Sequence, residues 1–333
     1  MIELQKNHLV FTFPEIHPKA RLEISFQRTL RIPDTNKAYP LPPGLGSFPL
    51  EHVDDCADLV PEKWIEHGGV MLPMFQSEAL WINFDSDFLM EHNTSYPFAV
   101  KVAAGKINAL TGETWADGLS GDNQNYLVVP TQPWLDGYCV EKNVIRQFVA
   151  MPLGEGYTAE GQITGLEEVG GLQVQVYPMR PEAFEKYWPR RQQVSEPEEY
   201  DLEAPSYSMG LSPGGRMRQE IYADEFDFSD WDQSTSSRCF IHLLNSRAWR
   251  AVTGKNPPTI PPSARDYTEA GLPWYEYYTE DSTSLPASGV LGKLKSVFTL
   301  GKEKGQNPLP ENQSTGPKKI LEIKKSPNQV REW

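Results

Sequence analysis

Glu78 and Asp136 stand beside tryptophans, in QSEALW and QPWLDGY. Two carboxylates near indole rings are what a glycan hydrolase uses, one as acid and one as base or nucleophile, with the sugar stacked on the aromatic face. The plainer reading makes Trp81 and Trp134 core anchors and the carboxylates turn residues, and it is preferred. Cys239 and His242 are placed on one face of a strand. At about 7 Å for two residues along a strand, they stand too far apart for a direct thiolate–imidazole pair. No G-x-S-x-G elbow is present.

The stretch 146–165, RQFVAMPLGEGYTAEGQITG, runs from an apolar strand into a glycine-rich loop. Residues 156–164 approach G-x-x-x-x-G-K-[ST], but Gln162 stands where the lysine should be and Thr164 is displaced by one. A neutral amide does not replace the charge that meets a phosphate, and Glu155 and Glu160 would repel one. The stretch reads as a strand and a shaped turn between strands 144–151 and 170–178, with no helix following. Arg146, Gln147 and Glu155 are its candidates for a pocket rim. The six histidines share no H-x-H or H-E-x-x-H spacing, and the three cysteines form no CxxC. The acidic run ADEFDFSDWDQS lacks the glycine turn and distal glutamate of a calcium loop. No metal site and no cofactor is assigned.

These residues need elements to hold them. Apolar positions recur with period two in ARLEISFQRTLRI, GGLQVQVYPM and RCFIHLLNS, the pattern of half-buried strands. GGLQVQVYPM reads as having one wet face, made by Gln173, Gln175 and Tyr177. GYCVEKNVIRQFVAMP reads as a hairpin turning at 141–143, where Asn143 tolerates positive φ. Five prolines within 33–50 predict an extended connection. Short helices are predicted over 54–67, after Pro181, and after a Ser263 cap. The resulting fold class is α+β and β-rich: a sandwich-like body of antiparallel sheets, few short helices and a disordered C-terminal tail. The boundaries read 1–180 for the body, 181–207 for a short helix and acidic linker, 208–284 for a second β-containing segment packing on the body, and 285–333 for a basic tail.

That tail carries the strongest signal. The net charge is −14, yet residues 284–333 hold nine Lys/Arg against four Glu, which leaves −19 on the preceding 283 residues. An acidic body disfavours nucleic acid, whose phosphates demand a basic footprint. A basic tail on an acidic body predicts self-association, or docking on an acidic partner or membrane surface. Val290, Leu291, Leu294, Val297 and Phe298 mark a narrow apolar face on an amphipathic helix over 288–304, and KKILEIKK is a second basic-apolar patch. Leu291, Leu294, Val297 and Phe298, with Trp274, Tyr275, Tyr277 and Tyr278 of the aromatic run GLPWYEYYTED, are the candidate binding residues.

The run PWLDGYCVEKNVIRQFVAMPLGEGYTAEGQITG, with FQRTLRIPD and YPLPPGLG before it and GGLQVQVYPM after it, resembles segments of bacterial proteins, some described as integral membrane proteins. The resemblance spans roughly residues 8–180 and rests on no catalytic motif, so it implies no activity and no site residue. This chain has no apolar run of the length a spanning helix needs. Sparse, unpaired cysteines and the lack of a basic-then-apolar leader point to the cytoplasm. The leading expectation is a non-enzymatic interaction or assembly protein with a partner-docking tail. A carboxylate-dependent glycan hydrolase and a peripheral membrane-surface binder are the alternatives.

Overall fold

The computed structural model describes residues 1–35, 37–189, 210–278, 284–307, 309 and 313–324. Of the segment 181–207 read as a short helix and acidic linker, residues 190–207 therefore lie outside the described residues. The chain builds two large β-sheets. In chain order the strands are β1 (Ile2–Gln5), β2 (His8–Thr12), β3 (Arg21–Leu30), β4 (Gly44–Ser47), β5 (Glu51–His52), β6 (Val70–Pro73) and β7 (Glu78–Ser86). They continue with β8 (Phe88–Leu89), β9 (Thr94–Ser95), β10 (Phe98–Ala104), β11 (Ile107–Asn108), β12 (Leu127–Val129), β13 (Trp134–Leu135) and β14 (Gly137–Glu141). The remainder are β15 (Val144–Met151), β16 (Leu172–Pro178), β17 (Gly210–Arg218), β18 (Ser237–Leu244), β19 (Trp274–Tyr278) and β20 (Ile320–Lys324). The helices are short: α1 (Glu62–His67), α2 (Ala159–Thr164), α3 (Pro181–Tyr187), α4 (Ser246–Thr253), α5 (Ala264–Glu269) and α6 (Val297–Glu303).

A nine-stranded sheet runs β1-β2-β3-β7-β15-β14, with β4, β13 and β17 pairing at its sides. A seven-stranded sheet runs β11-β10-β16-β18-β6-β5, with β12 beside β10. Pairing is antiparallel within both sheets except where β18 meets β6 in parallel. The body is thus the β-rich α+β sandwich read from the strand periodicities. The inward residues of the two sheets share one core: Leu22, Ile24, Phe26, Leu80 and Ile82 from the first meet Val100, Val174, Val176 and Ile241 from the second. Strands β17 and β18 come from beyond residue 208 and lie one in each sheet.

Several local expectations change. The Gln173 and Gln175 side of β16 is buried, because the Trp115 ring lies 4.5 Å from both the Lys101 amine and the Arg238 guanidinium on the flanking strands and roofs them over. The proline-rich 33–50 connection holds the short strand β4 and touches down again through bridges at Tyr39 and Leu41. A helix follows the glycine-rich loop after all, since Thr158 caps Gly161 N–H and starts α2. The hairpin turn forms as read, with Asn143 at φ 61°.

The amphipathic helix over 288–304 is two pieces, a 3₁₀ turn at Leu291–Lys293 and then α6. Gly289 and Gly292 weaken the first part, and the Ser296 hydroxyl caps Thr299 N–H at 3.2 Å to begin the second. KKILEIKK contributes β20, which pairs in parallel with β19.

Candidate functional site

The glycine-rich loop does cradle an anion, and the anion belongs to the chain itself. Gly154 at φ 84° and Gly156 at φ 70° bend the backbone so that its N–H groups converge. One carboxylate oxygen of Glu167 accepts from Gly154 N at 2.5 Å and Gly156 N at 3.1 Å. The other accepts from Thr158 N at 3.0 Å and the Thr158 hydroxyl at 2.5 Å. Burial pushes the Glu167 carboxyl up, and the bonds from Thr158, Gly156 and Gly154 outweigh it and hold the group below its ordinary value. A phosphate would have to displace this carboxylate, and the one position of the stretch where a P-loop has its lysine holds Gln162.

What the loop and α2 hold instead is the C-terminal segment. Gln162, at the position where a P-loop has lysine, grips the backbone of Lys295: its amide donates to Lys295 O at 2.9 Å and its oxygen accepts from Lys295 N at 2.8 Å. The same amide donates to Tyr157 O, which fixes its orientation. The Tyr157 hydroxyl donates to Gln306 Oε1. The Lys304 amine lies 4.2 Å from the Tyr157 ring centre and donates to the Glu155 carbonyl. Asp34 takes Arg146 on one oxygen at 3.1 Å and the Ser296 hydroxyl on the other. Farther up, the Ser288 hydroxyl donates to Thr111 O at 2.6 Å.

Apolar contacts complete the seam. Leu291 is fully buried, and Leu294 and Val297 nearly so. Leu291 and Leu294 join the main core, and Val297 packs with Ala79, Val149, Met151 and Tyr157 on the outer face of the nine-stranded sheet. The apolar face of the tail thus looks into the body of its own chain. Between α6 and the end of β15 lies a cavity of about 340 Å³. Met151, Tyr157, Val297, Phe298 and Leu309 line its apolar part, and exposed Lys302, Gln306 and Asn307 its polar part. Of the stretch 146–165, Met151 and Tyr157 face this cavity, while Arg146 and Gln147 are engaged elsewhere. Arg146 bonds Asp34 and Gly214 O. Gln147 pins the strand to residues 30–32 by accepting from Ile32 N and donating to Leu30 O. Glu155 meets the tail through its carbonyl, which accepts from Lys304.

The candidate catalytic residues are not brought together. Glu78 has no exposed surface; it takes Arg28 Nε at 2.6 Å and Phe75 N at 2.9 Å. Burial pushes its carboxyl up to about 7, against the pull of Arg28. Asp136 sits where the chain leaves β7 to pair with β15. Leu135 pairs with Ile82, so the next residue is level with Trp81, three positions from Glu78, about 10 Å along the strand. Asp136 is buried with one carboxyl oxygen unpartnered, and burial raises it to about 7 with only Trp134 pulling against it.

Cys239 and His242 are three residues apart and lie on opposite faces of β18, which corrects the shared-face reading. A period of two sends positions separated by an odd number to opposite sides. Cys239 packs in the core, its thiol pushed up to about 12 by burial. His242 stacks on Trp64 with ring centres 4.4 Å apart and meets Gly68 O at 3.0 Å. Burial holds it down to about 4.

Trp274 is fully buried among Tyr39, Tyr267 and Leu30, with its indole N–H on the Thr268 hydroxyl at 3.2 Å. It locks β19 to the body. Tyr275 exchanges backbone hydrogen bonds with Leu41 and is half-buried. Tyr277 and Tyr278 belong to β19 by backbone, and their side chains lie outside the described residues. In the acidic run, Asp224 accepts from the Tyr126 hydroxyl at 2.6 Å and the Trp231 indole at 2.8 Å. Among the described residues no group of three or more His, Cys, Asp or Glu is placed to hold a metal, and no helix is long and apolar enough to cross a membrane. Comparison with family models, curated proteins and solved structures finds no match to this chain.

Proposed function

We propose that the chain is a non-enzymatic cytoplasmic assembly protein. Its basic tail docks on the clamp made by loop 153–158 and α2, in its own body or in that of a second copy. The observation that carries this reading is the grip of Gln162 on the Lys295 backbone beside a seam of three buried apolar side chains. Side chain-to-backbone bonds of this kind recognise a segment by its path, as peptide-docking surfaces do. The charge split favours the same pairing between copies, because a tail of +5 meets a body of −19 whichever chain supplies it. Exchange of an identical element is a low-cost route to an oligomer.

The deep burial of Glu78 and Asp136 weighs against the hydrolase reading, and the inward apolar face of 291–297 weighs against membrane-surface binding by that segment. The test mixes two differently tagged full-length copies and measures co-capture at low and at high salt. Co-capture that falls with salt, survives when one copy ends at Ser284 and the other carries Gln162→Ala, and fails when both copies end at Ser284, supports exchange. Copies that never co-capture at any concentration contradict it.

A further inference from the structure

The cavity beside α6 is built from both sides of the seam, and nothing in the assembly reading uses it. We infer that it binds a small single-chain amphiphile with an alkyl body and one carboxylate head. Its volume, about 340 Å³, falls at the lower end of sites that take small organic ligands. One side suits an alkyl chain: Met151, Val297, Phe298 and Leu309 are apolar, and Met151 and Phe298 present a flexible thioether and a flat ring, while Gln306 and Asn307 make the other side polar.

The edge suits one negative charge. Lys302 lines the cavity, is exposed, and makes no ion pair among the described residues. The neighbouring cations are engaged, Lys304 with Glu155 O and the Tyr157 ring, and Lys295 with Glu303. A multiply charged head is disfavoured because Glu155 and Glu167 lie on the adjacent loop and the body is strongly acidic.

Met151 and Tyr157 belong to the body, whereas residues 297–309 belong to the tail. An occupant that touches both binds only the docked arrangement, so it must hold the tail down by mass action. At a ligand concentration 100 times its Kd, opening of the tail falls about 100-fold. This site stands apart from the assembly proposal: the ligand binds one docked tail whether that tail came from its own chain or another.

The experiment titrates the full chain with octanoate below its micellar range. Binding is read by calorimetry, and tail opening by amide hydrogen exchange over 297–303. Octanol keeps the chain without the charge, and butyrate keeps the charge with a short chain. Octanoate binds more tightly than either and slows exchange over 297–303.

Gly301→Leu narrows the cavity from the α6 side. A Cβ at Gly301 meets only Tyr157 Oη at 3.6 Å and Gln306 Oε1 at 3.8 Å, so the backbone accepts it, and octanoate binding weakens at least tenfold. Lys302→Ala alters an exposed side chain and stays testable if Gly301→Leu does not fold; it brings octanoate down to the affinity of octanol. The proposal is overturned if octanoate does not bind, if it binds without slowing exchange over 297–303, or if both variants bind it as the natural chain does.

Discussion

Asp136 is the residue whose environment is least forgiving. Its carboxyl is raised from the ordinary 3.8 to about 7, so the folded state prefers the protonated acid. Between these values the folded chain holds the extra proton, and stability from this group falls as pH rises towards 7 and stays low above it. Asp136→Asn keeps the shape and removes the charge. The expected outcome is a higher Tm at pH 8, on the order of a few kcal/mol of stability, and almost none of that gain near pH 4. His242 works in the opposite sense: held down to about 4, it contributes stability above its ordinary 6.5 that is lost as pH falls through that window. Glu167→Ala tests the anion cradle. Three backbone N–H groups lose their acceptor where water has partial access, so the cost should be about 1 kcal/mol. Faster amide exchange at Gly156 and Thr158 would accompany it, and unchanged exchange would show that Glu167 is not what orders the loop.

At the scale of elements, the strands were legible because period two is a direct image of a sheet with one face in a core. Leu22, Ile24 and Phe26 of β3 show it plainly, and all three are buried. The face of β16 carrying Gln173 and Gln175 was not legible as buried. Its cover, Trp115, comes from a loop distant in sequence, and alternation carries no information about what crosses above a sheet. The clamp was half legible. The glycines of 153–158 marked a shaped turn, but nothing in their types named Glu167, just beyond α2, as the acceptor, and Lys295, held by Gln162, is a distant partner that only the fold brings near. The apolar spacing of 291–297 marked residues that end up buried, whereas what covers them, the body of the same chain, had no local signature. Leu291 tests that assignment. Its side chain is fully buried, and a Cβ on Gly112 would stand 2.9 Å from Leu291 Cγ, so the packing is close. Leu291→Ala should cost about 2–5 kcal/mol in chemical denaturation. A cost near zero would mean that the segment is not seated there.

For the whole molecule, the decisive feature is a polarised chain, −19 over its first 283 residues and +5 over the rest, whose C-terminal segment 288–306 is seated on the body by hydrogen bonds and apolar contacts. Surface charges are screened over about 8–10 Å at moderate salt, while the apolar contacts of Leu291, Leu294 and Val297 are not. Salt should therefore weaken exchange between copies more than it destabilises a tail already docked. The measurement that bears most directly on this account is the light-scattering mass of the full chain across a concentration series, beside the chain ending at Ser284. The account predicts a mass that rises with concentration for the full chain and stays monomeric for the shortened one. Two chains that remain monomeric throughout, or that associate equally, would contradict it.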